Sequence, residues 1–100
     1  MRVISLKPLK AFWTRHPDAE EPLRAWYTVA LGADWGSLQD LRRTYPHADG
    51  VKSADGGTLT VFNIGGNKYR LVARIRYDYQ LINVRAVLTH AEYDKGSWKE

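Results

Sequence analysis

Lys68-Tyr69-Arg70-Leu71-Val72-Ala73-Arg74-Ile75-Arg76-Tyr77 alternates in character with a period of two. As a strand it carries Arg70, Val72, Arg74 and Arg76 on one face and Tyr69, Leu71, Ala73, Ile75 and Tyr77 on the other. The second face needs an apolar cover. On either side lie further β-branched and aromatic runs, Thr58 to Ile64 and Leu81 to Leu88, set off by Gly65-Gly66-Asn67 and by Asp78-Tyr79-Gln80. This spacing predicts two hairpins and a three-stranded antiparallel sheet.

Upstream the period changes. Residues 2 to 6 have room for a short strand, and Lys7-Pro8 breaks it where a helix can begin. Leu9, Phe12, Trp13 and His16 recur at helical spacing until Pro17, after which Asp18 is expected to cap a second helix through Leu23, Trp26 and Ala30. Ser37 with Asp40 has the pattern of a capping box for a third, short helix, stopped by Tyr45-Pro46. From His47 to Gly57 the chain reads as a polar connection rich in turn residues. Thr89 with Glu92 can cap a last short helix that Gly96 ends. A strand and helices followed by antiparallel strands is an α+β order, with no internal repeat or low-complexity segment.

A chain of 100 residues, 44% of them hydrophobic and four of them Trp, is expected to form one domain over residues 1–100 with its own core. No cysteine occurs, so disulfides, thiolate metal sites and cysteine nucleophiles are excluded. No stretch has the length of a membrane span or the form of a signal peptide, so a soluble, cytoplasmic protein without a membrane partner is expected. The net charge is +4, and residues 61 to 90 hold Lys68, Arg70, Arg74, Arg76 and Arg85 against Asp78 alone. The whole surplus therefore sits in one stretch. Such a footprint points to a polyanion, although a solvated face or the dock of an acidic partner would look the same.

Three features could carry chemistry. Arginines two residues apart on a strand stand about 7 Å apart, near the spacing of successive RNA phosphates, and each guanidinium can grip a phosphate with paired donors. His90 and Tyr93 share one side of a helix and place an imidazole beside a phenol, both able to move protons. The turn Asn63-Ile64-Gly65-Gly66-Asn67-Lys68 offers two amides, a lysine and backbone N–H groups free of crowding. Each has a plainer reading: an arginine face for solubility, a capping histidine, an ordinary hairpin turn. His16 and His47 sit beside prolines at helix ends or loops, and no cluster of His, Asp or Glu has metal-ligand spacing. No metal or cofactor is expected. Trp13, Trp26 and Trp35 suit a helical core, whereas Trp98 could pack on the body or meet a partner.

Taken together, Val61-Phe62-Asn63-Ile64-Gly65-Gly66-Asn67-Lys68-Tyr69-Arg70-Leu71-Val72 and Val87-Leu88-Thr89-His90-Ala91-Glu92-Tyr93-Asp94-Lys95 resemble the HigB family of toxins from type II toxin-antitoxin systems. That family is similar in fold to the RelE group of ribosome-dependent mRNA interferases. The resemblance covers nearly the whole chain and is strongest over residues 59 to 98. It implies metal-free endonucleolytic cleavage of mRNA, usually on the ribosome, and neutralisation by a HigA-type antitoxin with a helix-turn-helix. It also implies catalytic roles for Arg70, His90 and Tyr93. Asn63, Asn67, Lys68, Arg74, Arg76, Arg85 and Lys95 are the expected RNA contacts. Which group is general base and which is acid stays open. The competing readings are a non-catalytic RNA-binding module and a protein-interaction domain using the same basic face.

Overall fold

Both hairpins form where the alternation and the turn residues place them. The computed structural model describes residues 1–99. Its elements are β1 (Arg2–Ile4), α1 (Lys7–Arg15), a 3-10 turn (Pro17–Ala19), α2 (Glu20–Gly32), α3 (Leu38–Thr44), β2 (Asp49–Lys52), β3 (Thr58–Ile64), β4 (Tyr69–Arg76), β5 (Leu81–Thr89), α4 (His90–Lys95) and a closing 3-10 turn (Ser97–Lys99). One sheet holds the strands in the order β1-β5-β4-β3-β2, with β1 parallel to β5 and every other pair antiparallel. The α+β expectation, with a leading strand and a short last helix, holds. Among the described residues no helix is long and apolar enough to cross a membrane.

Alternation along β4 sorts its two faces as expected. Leu71 and Ala73 join Phe62, Ile64, Ile82, Val84 and Val87 under Leu9, Phe12, Leu23, Trp26 and Leu41 of the helices. Trp26 meets Phe62 edge-on at 5.4 Å, and Trp13 and Trp35 are buried in the same core. A bulge in β5 keeps this face continuous: Val72 pairs with Ala86 but Ala73 pairs with Val84, which leaves Arg85 as the extra residue. Val84 and Val87 therefore both reach the core, while Arg85 is exposed.

Two local expectations need correction. Residues 47 to 57 are not merely a connection, because Asp49–Lys52 pairs with β3 as an edge strand. Its apolar signal is a single residue, Val51, packed beside Leu59, and an edge strand needs no more; Ser53 N–H then donates to Gly57 C=O at 2.8 Å to close the turn. Asp18 does not cap the second helix. Pro17 starts a 3-10 turn instead, α2 begins after it, and the Asp18 carboxylate accepts from the Tyr69 hydroxyl at 2.6 Å and ion-pairs with Lys68, fifty residues away.

The outer face of the sheet departs furthest from the sequence reading. Leu59, Val61 and Val72 form a second, smaller apolar cluster, covered by Tyr93 and Trp98 of the C-terminal segment. The tail turns back because α4 is firmly capped at both ends. Thr89 Oγ1 accepts from Glu92 N–H at 3.2 Å, Glu92 Oε1 accepts from Thr89 N–H at 2.9 Å, and Gly96 adopts the left-handed conformation at φ 76°. Replacing Thr89 with alanine is expected to lower stability by about 1 kcal/mol. Urea denaturation checks this, with a shift in midpoint at unchanged slope.

Candidate nucleic-acid interface and active site

On the outer face β4 and β3 set Arg70 directly opposite Asn63, and β5 sets Leu88 on the other side of it, two residues before α4 begins. The sequence reading places Arg70 in an open row. In the structure Arg70 is 8% exposed, and neighbouring groups hold its guanidinium in place. Nη1 donates to the carbonyls of Asn67 (3.2 Å) and Tyr69 (3.1 Å), and Nη2 donates to Asn67 Oδ1 (2.6 Å). Cζ lies 5.4 Å from the centre of the Tyr93 ring. Of five N–H donors, three are engaged, which leaves Nε–H and one Nη2–H for a further acceptor. All the acceptors are neutral, so the charge of Arg70 is not cancelled.

That last property separates Arg70 from its neighbours. Arg74 Nη2 donates to both carboxylate oxygens of Asp55 at 3.3 and 3.2 Å, and Arg76 grips Asp78 with two nitrogens, Nε to Oδ1 at 3.3 Å and Nη2 to Oδ2 at 3.1 Å. Lys68 is taken by Asp18, which raises the lysine pKa and lowers that of the aspartate. Asp55 is held down to about 2, first by the Ser53 hydroxyl, then by Gly57 N–H and Arg74. The expected row of three free arginines is thus one buried, uncancelled guanidinium and two ion-paired ones. Arg85 and Lys95 are exposed and make no ion pair among the described residues. The local charge surplus rests on Arg70, Arg85 and Lys95.

α4 brings the titratable pair to this place. Tyr93 stacks on Trp98 with ring centres 4.9 Å apart and planes 15° from parallel, and Trp98 Nε1 donates to Tyr93 C=O at 2.8 Å. Arg70, Tyr93 and Trp98 therefore form one pile, guanidinium on phenol on indole. His90 lies one turn before Tyr93 and is exposed, with Nδ1 3.1 Å from Asp94 Oδ2. An imidazole tied through Nδ1 keeps Nε2 outward, the arrangement in which histidine exchanges a proton with a bound molecule.

The structure brings Arg70, Tyr93, Asn63 and Asn67 together, with His90 on the adjoining helical turn, and leaves Arg76 apart at the far end of β4. Two contributors escape the sequence reading. Asp94 could have been found from its four-residue spacing to His90. Trp98 could not, because its stacking depends on the tail folding back over the sheet. Among the described residues no group of three His, Cys, Asp or Glu is placed to hold a metal ion.

Beside this geometry stand the likenesses to known proteins. The family HigB_toxin, the RelE-like toxic component of a toxin-antitoxin system, matches residues 19–96. The chain is similar to the mRNA interferase toxin HigB of Escherichia coli K12, 32% identical over 94 residues that span 94% of this chain and 88% of the relative. The mRNA interferase HigB of Shigella flexneri matches to the same extent. That of Escherichia coli O6:H1 is 28% identical over 95 residues, 95% of this chain and 90% of its own. A family match over more than three quarters of the chain takes in β3, β4, β5 and α4, the elements that build the site, and the chain belongs to the HigB family of toxins.

Proposed function

We infer that this chain is the toxin of a toxin-antitoxin pair and an endoribonuclease that cuts mRNA at the Arg70, Tyr93 and His90 cluster. The observation that carries the reading is the guanidinium of Arg70, buried among neutral partners with two donors left over and set against the ring of Tyr93, whose helix carries the exposed His90–Asp94 pair one turn earlier. RNA supplies its own nucleophile. The 2′-oxygen loses its proton and bonds to the adjacent phosphorus, the bond from phosphorus to the 5′-oxygen breaks, and that oxygen takes up a proton. The products are a 2′,3′-cyclic phosphate and a 5′-hydroxyl. Arg70 holds the charge that grows on the phosphoryl oxygens, and His90 Nε2 and the Tyr93 hydroxyl divide the two proton transfers, one taking the 2′ proton and the other protonating the departing 5′-oxygen. The side chains supply each of these roles without a metal ion.

Arg85 and Lys95 extend the cationic track for the flanking backbone, while Lys68, Arg74 and Arg76 add weaker contacts because their carboxylate partners offset much of their charge. The substrate in this reading is mRNA engaged by the ribosome in the cytoplasm. A HigA-type helix-turn-helix antitoxin neutralises the toxin.

The test is expression under tight control followed by mapping of RNA 5′ ends, for the wild type and for Arg70→Ala with His90→Gln. Growth arrest with new internal 5′-hydroxyl ends in the wild type alone is the expected result. Intact RNA together with salt-sensitive RNA binding would instead favour a non-catalytic binding module. Arrest by both forms without new ends would favour a protein-interaction domain.

A further inference from the structure

Next to Arg70 the molecule has a cleft of about 540 Å³, within the range of small-molecule sites. One wall is the connection from α3 to β2, Tyr45, Pro46 and His47; the other is the β3–β4 turn, Asn63, Gly66 and Asn67. No carboxylate, lysine or arginine lines it, although the neighbouring outer face is basic. The lining therefore offers a phosphate no lysine or arginine. A flat, uncharged heterocycle suits it, because the cleft combines ring and proline surfaces with amides that can read a polar edge.

We propose that this cleft is a nucleobase subsite, which takes one unstacked base beside the phosphate held by Arg70 and sets the sequence preference at one position relative to the cut. The inference rests on the reading of the chain as an RNA-cleaving toxin and adds to it where the base goes. Asn67 links the two. Its Oδ1 accepts from Arg70 Nη2, which turns Nδ2 away from the guanidinium as a donor, and its residue lines the cleft. Asn63 lies across the ladder from Arg70 and makes no side-chain hydrogen bond among the described residues, so both its donor and its acceptor are available. Tyr45 is braced edge-on by Trp35 and Phe62 at 6.0 and 5.4 Å, which fixes that wall. His47 is exposed and presents the one ring of the cleft that core packing does not hold. Single-stranded RNA is read in this manner, with splayed bases stacked on rings and hydrogen-bonded at their edges.

The experiment incubates ribosomes translating a pool of mRNAs randomised around the cut with wild type, His47→Ala and His47→Trp, and compares the base composition at each position flanking the new 5′ ends. His47 is on the surface, so circular dichroism should show all three folded. The wild type is expected to favour particular bases at one position. In both variants the preference at that position falls at least threefold, with the other positions unchanged. Cleavage with the wild-type profile in both variants overturns the subsite and leaves the nuclease reading intact, as does a wild type that cuts without preference anywhere. RNA left whole by the wild type overturns the nuclease reading, and the subsite with it.

Discussion

Replacing Arg70 with alanine is expected to lower RNA cleavage by roughly 10²- to 10³-fold, the loss that follows removal of one preorganised donor to a developing oxyanion. The size of the effect follows from what surrounds the side chain. Arg74 and Arg76 must give up a carboxylate to grip a phosphate, whereas Arg70 already has its guanidinium fixed by Asn67 and Tyr69 and has no anion to displace. Preorganisation with uncancelled charge is what a charged transition state rewards. By contrast, Arg76→Ala should change cleavage severalfold at most, since it removes an exposed, paired cation distant from Tyr93. Arg70→Lys separates charge from geometry: lysine keeps the cation but cannot donate to Asn67 Oδ1, Asn67 C=O and Tyr69 C=O while gripping an acceptor side-on. It should recover only part of the alanine loss. Because Arg70 is nearly buried, each variant needs a thermal unfolding curve beside its rate. Cleavage by folded Arg70→Ala within threefold of wild type would remove Arg70 from the site.

The parts of this architecture legible in the sequence are those written within a few residues. Alternation along Lys68 to Tyr77 assigns Leu71 and Ala73 to the core, the Gly65-Gly66-Asn67 turn places the hairpin, and Thr89 with Glu92 marks where α4 starts. The parts that were not legible depend on partners far away in the chain. Nothing near Lys68 shows that Asp18 will hold it, and nothing near Arg74 shows that Asp55 will. Charge counting therefore finds the basic stretch but cannot say which cations keep their charge free. Nor does strict alternation anticipate the bulge at Arg85, because the bulge satisfies pairing to β4 and the apolar needs of Val84 and Val87 at once. The outer face is hidden from the sequence for a related reason: Val72 stands alone among arginines along β4, and its packing with Leu59 and Val61 under Tyr93 and Trp98 depends on the tail folding back.

His90 is expected to matter as much as Arg70 and for a different reason. Proton transfer by a positioned side chain contributes roughly 10²- to 10⁴-fold, so His90→Gln, which keeps a similar size but cannot carry the proton, should lose activity in that range. Asp94 is the internal control. Its contact with His90 Nδ1 at 3.1 Å is exposed on both sides, the setting in which a charged pair is worth about 0.5–1 kcal/mol. Asp94→Asn should therefore lower the rate only about two- to fivefold, because the imidazole remains and only its orientation loosens. A structural role for His90 predicts another pattern. As the first residue of a capped helix with an exposed ring it would then tolerate glutamine with little change in rate, and any loss would track thermal stability. The ordering His90→Gln far below Asp94→Asn, at equal unfolding temperatures, assigns the proton to His90. Equal rates in the two variants would move proton transfer to Tyr93, whose hydroxyl is the other group on this side of α4 able to perform it, and Tyr93→Phe would then show the larger loss.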